Sequence, residues 1–205
     1  LVGDRIEDYI ELAKVLDARD EISALEINAS CPNVAHGYMA FSVDTGILSE
    51  LTSRVRKVTK KPLIVKLSPN VTDIVPLAKA ASDSGADILN IANTFLGMAI
   101  DIETRKSRLG RDYAGLSGRA IRPITLRLVH QAACSVKIPI IGTGGIYDST
   151  DAIEFFIAGA TAIGLGTVNL IFPNRASGIL AGIKSYLDRK NVPLKELIGS
   201  YISAS

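Results

Sequence analysis

Pro62-Leu63-Ile64-Val65-Lys66-Leu67-Ser68-Pro69-Asn70 is the stretch from which the fold is read. A proline opens it, Leu63–Leu67 is a short apolar run, and Ser68-Pro69-Asn70 stops it. A helical pattern follows over Asp73–Ser84, Gly85-Ala86 makes a turn, and a second apolar run covers Ile88–Ala92. A strand that reads as an unbroken apolar run is buried on both faces, which means a parallel sheet. Strand, helix and strand joined by short turns form a βαβ unit.

The same rhythm extends in both directions. Further strands are predicted at Ala24–Ile27, Ile138–Ile141 and Ala162–Leu165. Helices are predicted near Ile47–Val58, Ile121–Ala133, Ser149–Ala158 and Ala176–Asp188, and Gly159-Ala160 repeats the Gly-Ala turn. An opening helix over Ile6–Leu16 sets Ile6, Tyr9, Ile10, Ala13 and Leu16 on one face. This is an α/β fold, either a doubly wound sheet or a (β/α)8 barrel. A barrel has eight strands in about 250 residues. Five strands cannot close alone, so a barrel here would lack roughly its first three strand–helix units. One segment breaks the rhythm: Ala99–Ile102 and Ser107–Leu109 flank the polar turn Glu103-Thr104-Arg105-Lys106, which reads as an antiparallel hairpin outside the parallel sheet.

At 205 residues and 47% hydrophobic content the chain can bury one core, so residues 1–205 are expected to be a single domain. Lys plus Arg number 23 against 21 Asp plus Glu, a balance that gives no reason to expect nucleic acid or an anionic membrane as partner. No apolar run is long enough to span a bilayer. The start at Leu1 has neither a signal peptide nor an initiating methionine, so the true chain is expected to begin upstream. Two cysteines and two histidines leave little for a metal site and suggest a reducing cytoplasm. Redox chemistry here would need an organic cofactor.

In either parallel architecture, function belongs at the carboxyl ends of the strands. Those ends carry Asn28-Ala29-Ser30-Cys31-Pro32-Asn33, Lys66 with Ser68-Pro69-Asn70, Asn93-Thr94, Gly142-Thr143-Gly144-Gly145 and Gly166-Thr167. The last two loops are expected to bind phosphate through glycine backbone N–H groups, helped by the dipoles of the helices that follow. Lys66, flanked by apolar residues, needs an anionic partner, unless it snorkels to the strand end. Cys31 lies in a polar loop before Pro32, and a thiol with a pKa near 8.5 is within reach of proton abstraction. Asn28, Asn33, Asn93 and Thr94 supply neutral donors and acceptors suited to a cyclic amide or imide, although each alone can merely cap a turn. Cys134 is expected to be inert packing, and His36 and His130 are expected to be structural.

Together with Gly115-Leu116-Ser117-Gly118 and Gly164-Leu165-Gly166-Thr167, these segments resemble class 1 dihydroorotate dehydrogenases along essentially the whole chain. The cysteine at position 31 separates this class from the serine-using class 2 enzymes. The run Leu67-Ser68-Pro69-Asn70-Val71-Thr72-Asp73-Ile74 resembles the B type, which works with an electron-transfer subunit. The resemblance implies a (β/α)8 TIM barrel holding FMN over its carboxyl face, with roughly the first three strand–helix units absent from this chain. It implies oxidation of dihydroorotate to orotate in pyrimidine synthesis, with Cys31 taking a proton from C5 while hydride leaves C6 for the flavin. Asn28, Asn33, Asn93 and Thr94 would bind substrate. Asn28, Lys66, Ala92, Gly118, Gly144, Gly145, Gly166 and Thr167 would contact FMN, Ala92 through its backbone. Electrons would pass to NAD through FAD and an iron–sulfur cluster on the partner subunit; A-type relatives use fumarate instead. A homodimer in the cytoplasm is expected from the family. Rival readings are another FMN barrel reductase, such as a dihydropyrimidine dehydrogenase domain or a tRNA dihydrouridine synthase, a flavin-free phosphate-binding barrel, and an inactive barrel fragment.

Overall fold

A computed structural model of the chain describes residues 1–29, 41 and 43–203. Strands β1 (Leu25–Asn28), β2 (Leu63–Lys66), β3 (Ile88–Ile91), β6 (Ile140–Thr143) and β7 (Ala162–Gly164) form one parallel sheet. A separate antiparallel pair, β4 (Phe95–Gly97) and β5 (Ala114–Leu116), interrupts the series between β3 and β6. Helices α1 (Ile6–Asp17), α2 (Thr45–Arg56), α3 (Val75–Asp83), α4 (Arg122–Ala133), α5 (Ser149–Ile157) and α7 (Arg175–Lys190) fall where the apolar period places them. Two single-turn helices, α6 (Thr167–Ile171) and α8 (Leu194–Leu197), are too short to carry such a period.

The order in the sheet is β1-β2-β3-β6-β7. Each strand lies beside the next one in the chain, with no reversal, whereas a doubly wound sheet reverses direction at a switch point. Among the described residues these five strands form an open sheet.

Strand periodicity divides the sheet into two unlike faces. Leu25, Ile27, Leu63, Val65, Leu89, Ile91 and Ile140 are no more than 2% exposed. They belong to the core shared with Leu48, Leu51 and Val55 of α2, Leu77, Ala78 and Ala81 of α3, and Leu128, Val129 and Ala132 of α4. Each such side chain contributes about 1.5–3 kcal/mol by leaving water. The alternate positions are more polar and, apart from buried Asn90, half-buried: Glu26 and Asn28 stand in register with Ile64 and Lys66, Lys66 with Asn90, and Thr143 with Gly164. On this face the Asn90 amide donates to Glu26 Oε2 at 2.8 Å.

The two ends of the sheet also differ. At the amino end, Asp87 Oδ2 accepts from the Leu63 N–H and from Arg56 Nη1, both at 2.8 Å, and Arg56 also donates to the Thr59 and Lys61 carbonyls. These bonds tie the end of α2 to the starts of β2 and β3. At the carboxyl end the Tyr9 hydroxyl donates to the Asn28 carbonyl at 3.0 Å, fixing α1 beneath the tip of β1. The remaining carboxyl-end polar groups face one another across a hollow.

The expected hairpin is present, although its ladder lies further out than the sequence suggested. Phe95–Gly97 pairs with Ala114–Leu116, while Ile100 and Ser107 form a single bridge nearer the tip. The Asp101 carboxylate closes the tip by accepting from the Glu103 and Thr104 N–H groups and the Thr104 hydroxyl. The Thr104 N–H comes first among the causes that hold this carboxyl below the usual carboxylate range. Cys134 departs from expectation: it is exposed at the C-terminal end of α4, with its sulfur 3.8–3.9 Å from the His130 ring nitrogens. His130 is half-buried, with Nδ1 3.4 Å from the Ala158 carbonyl and the Tyr201 ring edge-on at 5.0 Å. These are structural contacts.

Candidate active site

A cavity of about 300 Å³ opens at the carboxyl ends of β2, β3, β6 and β7. Lys66, Ala92, Asn93, Thr94, Gly118, Gly144, Gly166 and Thr167, all singled out from sequence, line it. Cys31 and Asn33 lie outside the described residues, as does His36. Asn28 stands at the tip of β1 and reaches the cavity through Asn93, whose amide donates to Asn28 Oδ1 at 3.0 Å. Asn93 Oδ1 in turn accepts the Thr94 N–H at 2.8 Å. The two asparagines therefore orient each other, and their amide edges have a defined direction.

Lys66 emerges from β2 on the polar face of the sheet and enters the cavity half-buried. It forms no ion pair among the described residues. Ala92 follows a cis peptide after Ile91, and its N–H is donated to the Thr143 carbonyl at 2.8 Å. Only the Ala92 carbonyl is left to face a ligand from that backbone unit.

The glycine loops meet across the cavity. Thr167 Oγ1 donates to Ser117 Oγ at 2.8 Å, joining the loop after β7 to the loop after β5. Gly144 and Gly145 have positive φ values of +135° and +80°. A Cβ on Gly144 would stand 2.8 Å from Thr125 Oγ1, and one on Gly145 would stand 2.6 Å from the Arg122 backbone nitrogen. These glycines let the first turn of α4 press directly on the loop after β6. Gly145 is absent from the cavity wall, so packing against Arg122 is its visible role.

The expected help from helix dipoles is smaller than the sequence suggested. At the start of α5 the Asp148 carboxylate accepts the Thr150 and Asp151 N–H groups, and Asp151 accepts those of Tyr147 and Asp148. The first turn of α5 is thus already satisfied by its own acids, and α6 is a single turn. An anion bound here would rely on loop N–H groups and hydroxyls.

Four lining residues were not assigned from sequence: Ser117, Ile121, Thr143 and Leu170. Thr143 is the most informative, because its buried hydroxyl has no hydrogen-bond partner among the described residues. A buried hydroxyl without a partner costs roughly 1–3 kcal/mol, and this one packs against Gly164 of β7. Strand alternation could have found it, since Thr143 lies two residues after Ile141, the register partner of Asn90. Among the described residues no group of acidic, histidine or cysteine side chains is placed to hold a metal ion. No helix among them is long and apolar enough to cross a membrane.

Comparison with known proteins agrees with this arrangement. The family model for dihydroorotate dehydrogenase matches residues 1–187. The catalytic subunit of dihydroorotate dehydrogenase B (NAD(+)) from Geotalea uraniireducens is 49% identical over 204 residues, covering 99% of this chain and 67% of that protein. The same subunit from Geotalea daltonii is 48% identical over 201 residues, 98% of this chain and 66% of its own length. That from Bacteroides fragilis is 49% identical over 199 residues, 97% and 66% respectively. The chain spans about two thirds of the length of these relatives. A family match over most of the chain, on a fold that gathers five of the six quoted segments around one cavity, leads to one conclusion: the chain belongs to the dihydroorotate dehydrogenase family.

Proposed function

We propose that this chain is the C-terminal, site-bearing part of an FMN-dependent dihydroorotate dehydrogenase of the B type, oxidising dihydroorotate to orotate in pyrimidine synthesis. The observation that carries the reading is the cavity itself. Around glycine loops it sets an ammonium and a buried hydroxyl that have no partner among the described residues, with two mutually oriented asparagines. The unreversed strand order supports completion of the sheet as a (β/α)8 barrel when the rest of a longer chain is present.

FMN fits these residues. The loops at Gly118, Gly144, Gly166 and Thr167 provide backbone and hydroxyl donors for a phosphate. Thr143 offers a hydroxyl that no described residue hydrogen-bonds, and Lys66 supplies the positive charge that balances an anionic reduced ring. When bound, FMN supplies a two-electron acceptor that no side chain here can provide. Asn28, Asn93 and Thr94 hold the cyclic amide and imide edges of dihydroorotate, because amide side chains match both donors and acceptors. Cys31 and Asn33 complete the substrate set, and the Cys31 thiolate removes the C5 proton. Electrons leave through a partner subunit carrying FAD and an iron–sulfur cluster, on to NAD. The words "catalytic subunit" in the relatives' names support such a partner.

The test is product formation. The full-length protein, given dihydroorotate and an artificial electron acceptor, is expected to release orotate, resolved by chromatography. Asn93→Ala is expected to lower turnover by about tenfold or more, since it removes a substrate contact and the partner of Asn28. Absence of orotate from a flavin-loaded protein would overturn the reading.

A further inference from the structure

We infer that Arg122 is a positioning residue for the phosphate end of the flavin site. It acts by clamping α4 to the loop that follows β6. Arg122 touches no wall of the cavity, yet its backbone presses on Gly145, where an added Cβ would meet its N, Cα and Cβ at 2.6–2.7 Å. Its guanidinium reaches the far side of the same loop. Nη1 lies 2.6 Å from Asp151 Oδ1 and 2.6 Å from Glu154 Oε2. The Asp151 side chain is 2% exposed, and its other oxygen accepts the Tyr147 and Asp148 N–H groups. One arginine thus grips residues 145–151 from both sides.

Two neighbouring arginines hold the same loop more weakly. Arg119 sits 3.6 Å from Asp148 and 5.1 Å from the Tyr147 ring centre, and Arg175 donates to the Tyr147 carbonyl at 3.2 Å. Only the Arg122 contact includes a carboxylate shielded from water, where an ion pair is screened least. Losing it would leave Asp151 charged and unpaired beside the loop. The consequence falls on Gly144, which lines the cavity immediately before the clamped residues, and on Gly118, which precedes the single 3-10 turn Arg119–Ile121 that leads into Arg122. Two of the three loops that would meet a phosphate are therefore referenced to this single side chain. A donor set misplaced by a fraction of an ångström loses much of its value, so the clamp acts on affinity for the phosphate without contacting it.

This inference rests on the proposed FMN site, and the test separates the two. The full-length protein is stripped of flavin, and the dissociation constants of FMN and riboflavin are compared by quenching of flavin fluorescence. The parent is expected to prefer FMN, because riboflavin lacks the phosphate. Arg122→Gln is expected to reduce that preference about tenfold, with riboflavin affinity changed by less than about twofold. Arg122→Lys, which retains a cation, should restore part of the preference. Should Arg122→Gln fail to fold, Asp151→Asn removes the same ion pair while its amide oxygen can still accept the loop N–H groups, and the same ratio is read. A folded variant that keeps the parent's ratio, or loses both ligands equally, overturns the clamp. A parent that does not distinguish FMN from riboflavin overturns the phosphate site and the clamp with it.

Discussion

Replacing Gly145 by alanine measures how tightly α4 is seated on the site. Gly145 has φ +80°, and its new Cβ would stand 2.6–2.7 Å from the Arg122 N, Cα and Cβ. Holding an L-residue in that region costs roughly 1–2 kcal/mol. The overlap is with backbone, which cannot rotate away, so overpacking adds about 1–3 kcal/mol. Gly110 provides the control: its φ is +70°, and nothing lies within 4 Å of an added Cβ. Gly110→Ala carries the conformational cost alone, and the restriction that alanine places on the unfolded chain is common to both variants. The difference between them therefore isolates the contact with Arg122, at about 1–3 kcal/mol. In urea, without flavin, a slope of about 2 kcal/mol/M puts the Gly145→Ala midpoint roughly 0.5–1.5 M below that of Gly110→Ala. Equal midpoints would refute the seating of α4 on this loop.

Three further outcomes follow from other parts of the molecule. Thr143→Val removes a buried hydroxyl that has no partner among the described residues; without flavin, stability should rise by about 1–3 kcal/mol while FMN binding weakens by roughly 2–10-fold, the worth of one hydrogen bond. A fall in stability with unchanged FMN affinity, read by denaturation and fluorescence titration, would contradict the hydroxyl's assignment to a ligand. Phe155, fully buried between α5 and the sheet where Gly142 leaves room for its ring, should cost about 3–5 kcal/mol when cut to alanine, and a midpoint shift worth less than about 1 kcal/mol would show that the site had collapsed or was never packed. Asp101 titrates in the hairpin tip: since its folded pKa is lowered, first by the Thr104 N–H, its contribution is present above the unfolded pKa and is lost as pH falls through the folded value. The Glu103 and Thr104 amide resonances should shift with a midpoint below about 3.9, and a midpoint at or above that value would break the argument.

Much of this was legible from one sequence. The run Leu63–Leu67, apolar except for Lys66, reads as a strand buried on both faces; the structure begins β2 at that same leucine but buries only Leu63 and Val65 fully, leaving Ile64 and Lys66 half-buried. The residues just after those runs lie around one cavity, because parallel strands all end at the same edge. The misses have definite causes. Cys134 looked like core because alanines precede it, but helix α4 ends there and turns the thiol outward. Local composition gives no sign of where a helix face ends. The glycines of the loop after β6 read as an anion cradle, yet the pressure of α4 against Gly145 comes from residues more than twenty positions upstream. The Arg122–Asp151 pair is equally non-local, and neither residue stands in a motif. Ser117 lay inside a quoted motif, and only its bond to Thr167 reveals that two loops meet.

The most direct test of the central claim is anaerobic bleaching of the bound flavin, followed by stopped-flow absorbance after mixing the full-length protein with dihydroorotate near neutral pH. The parent is predicted to bleach rapidly. Cys31→Ser is predicted to retain its flavin but bleach at least about a hundredfold more slowly, because an alcohol is a far weaker acid than a thiol and is scarcely ionised to its basic form near neutral pH. Equal rates for the two proteins, or a flavin that dihydroorotate leaves oxidised in the parent, would contradict the account.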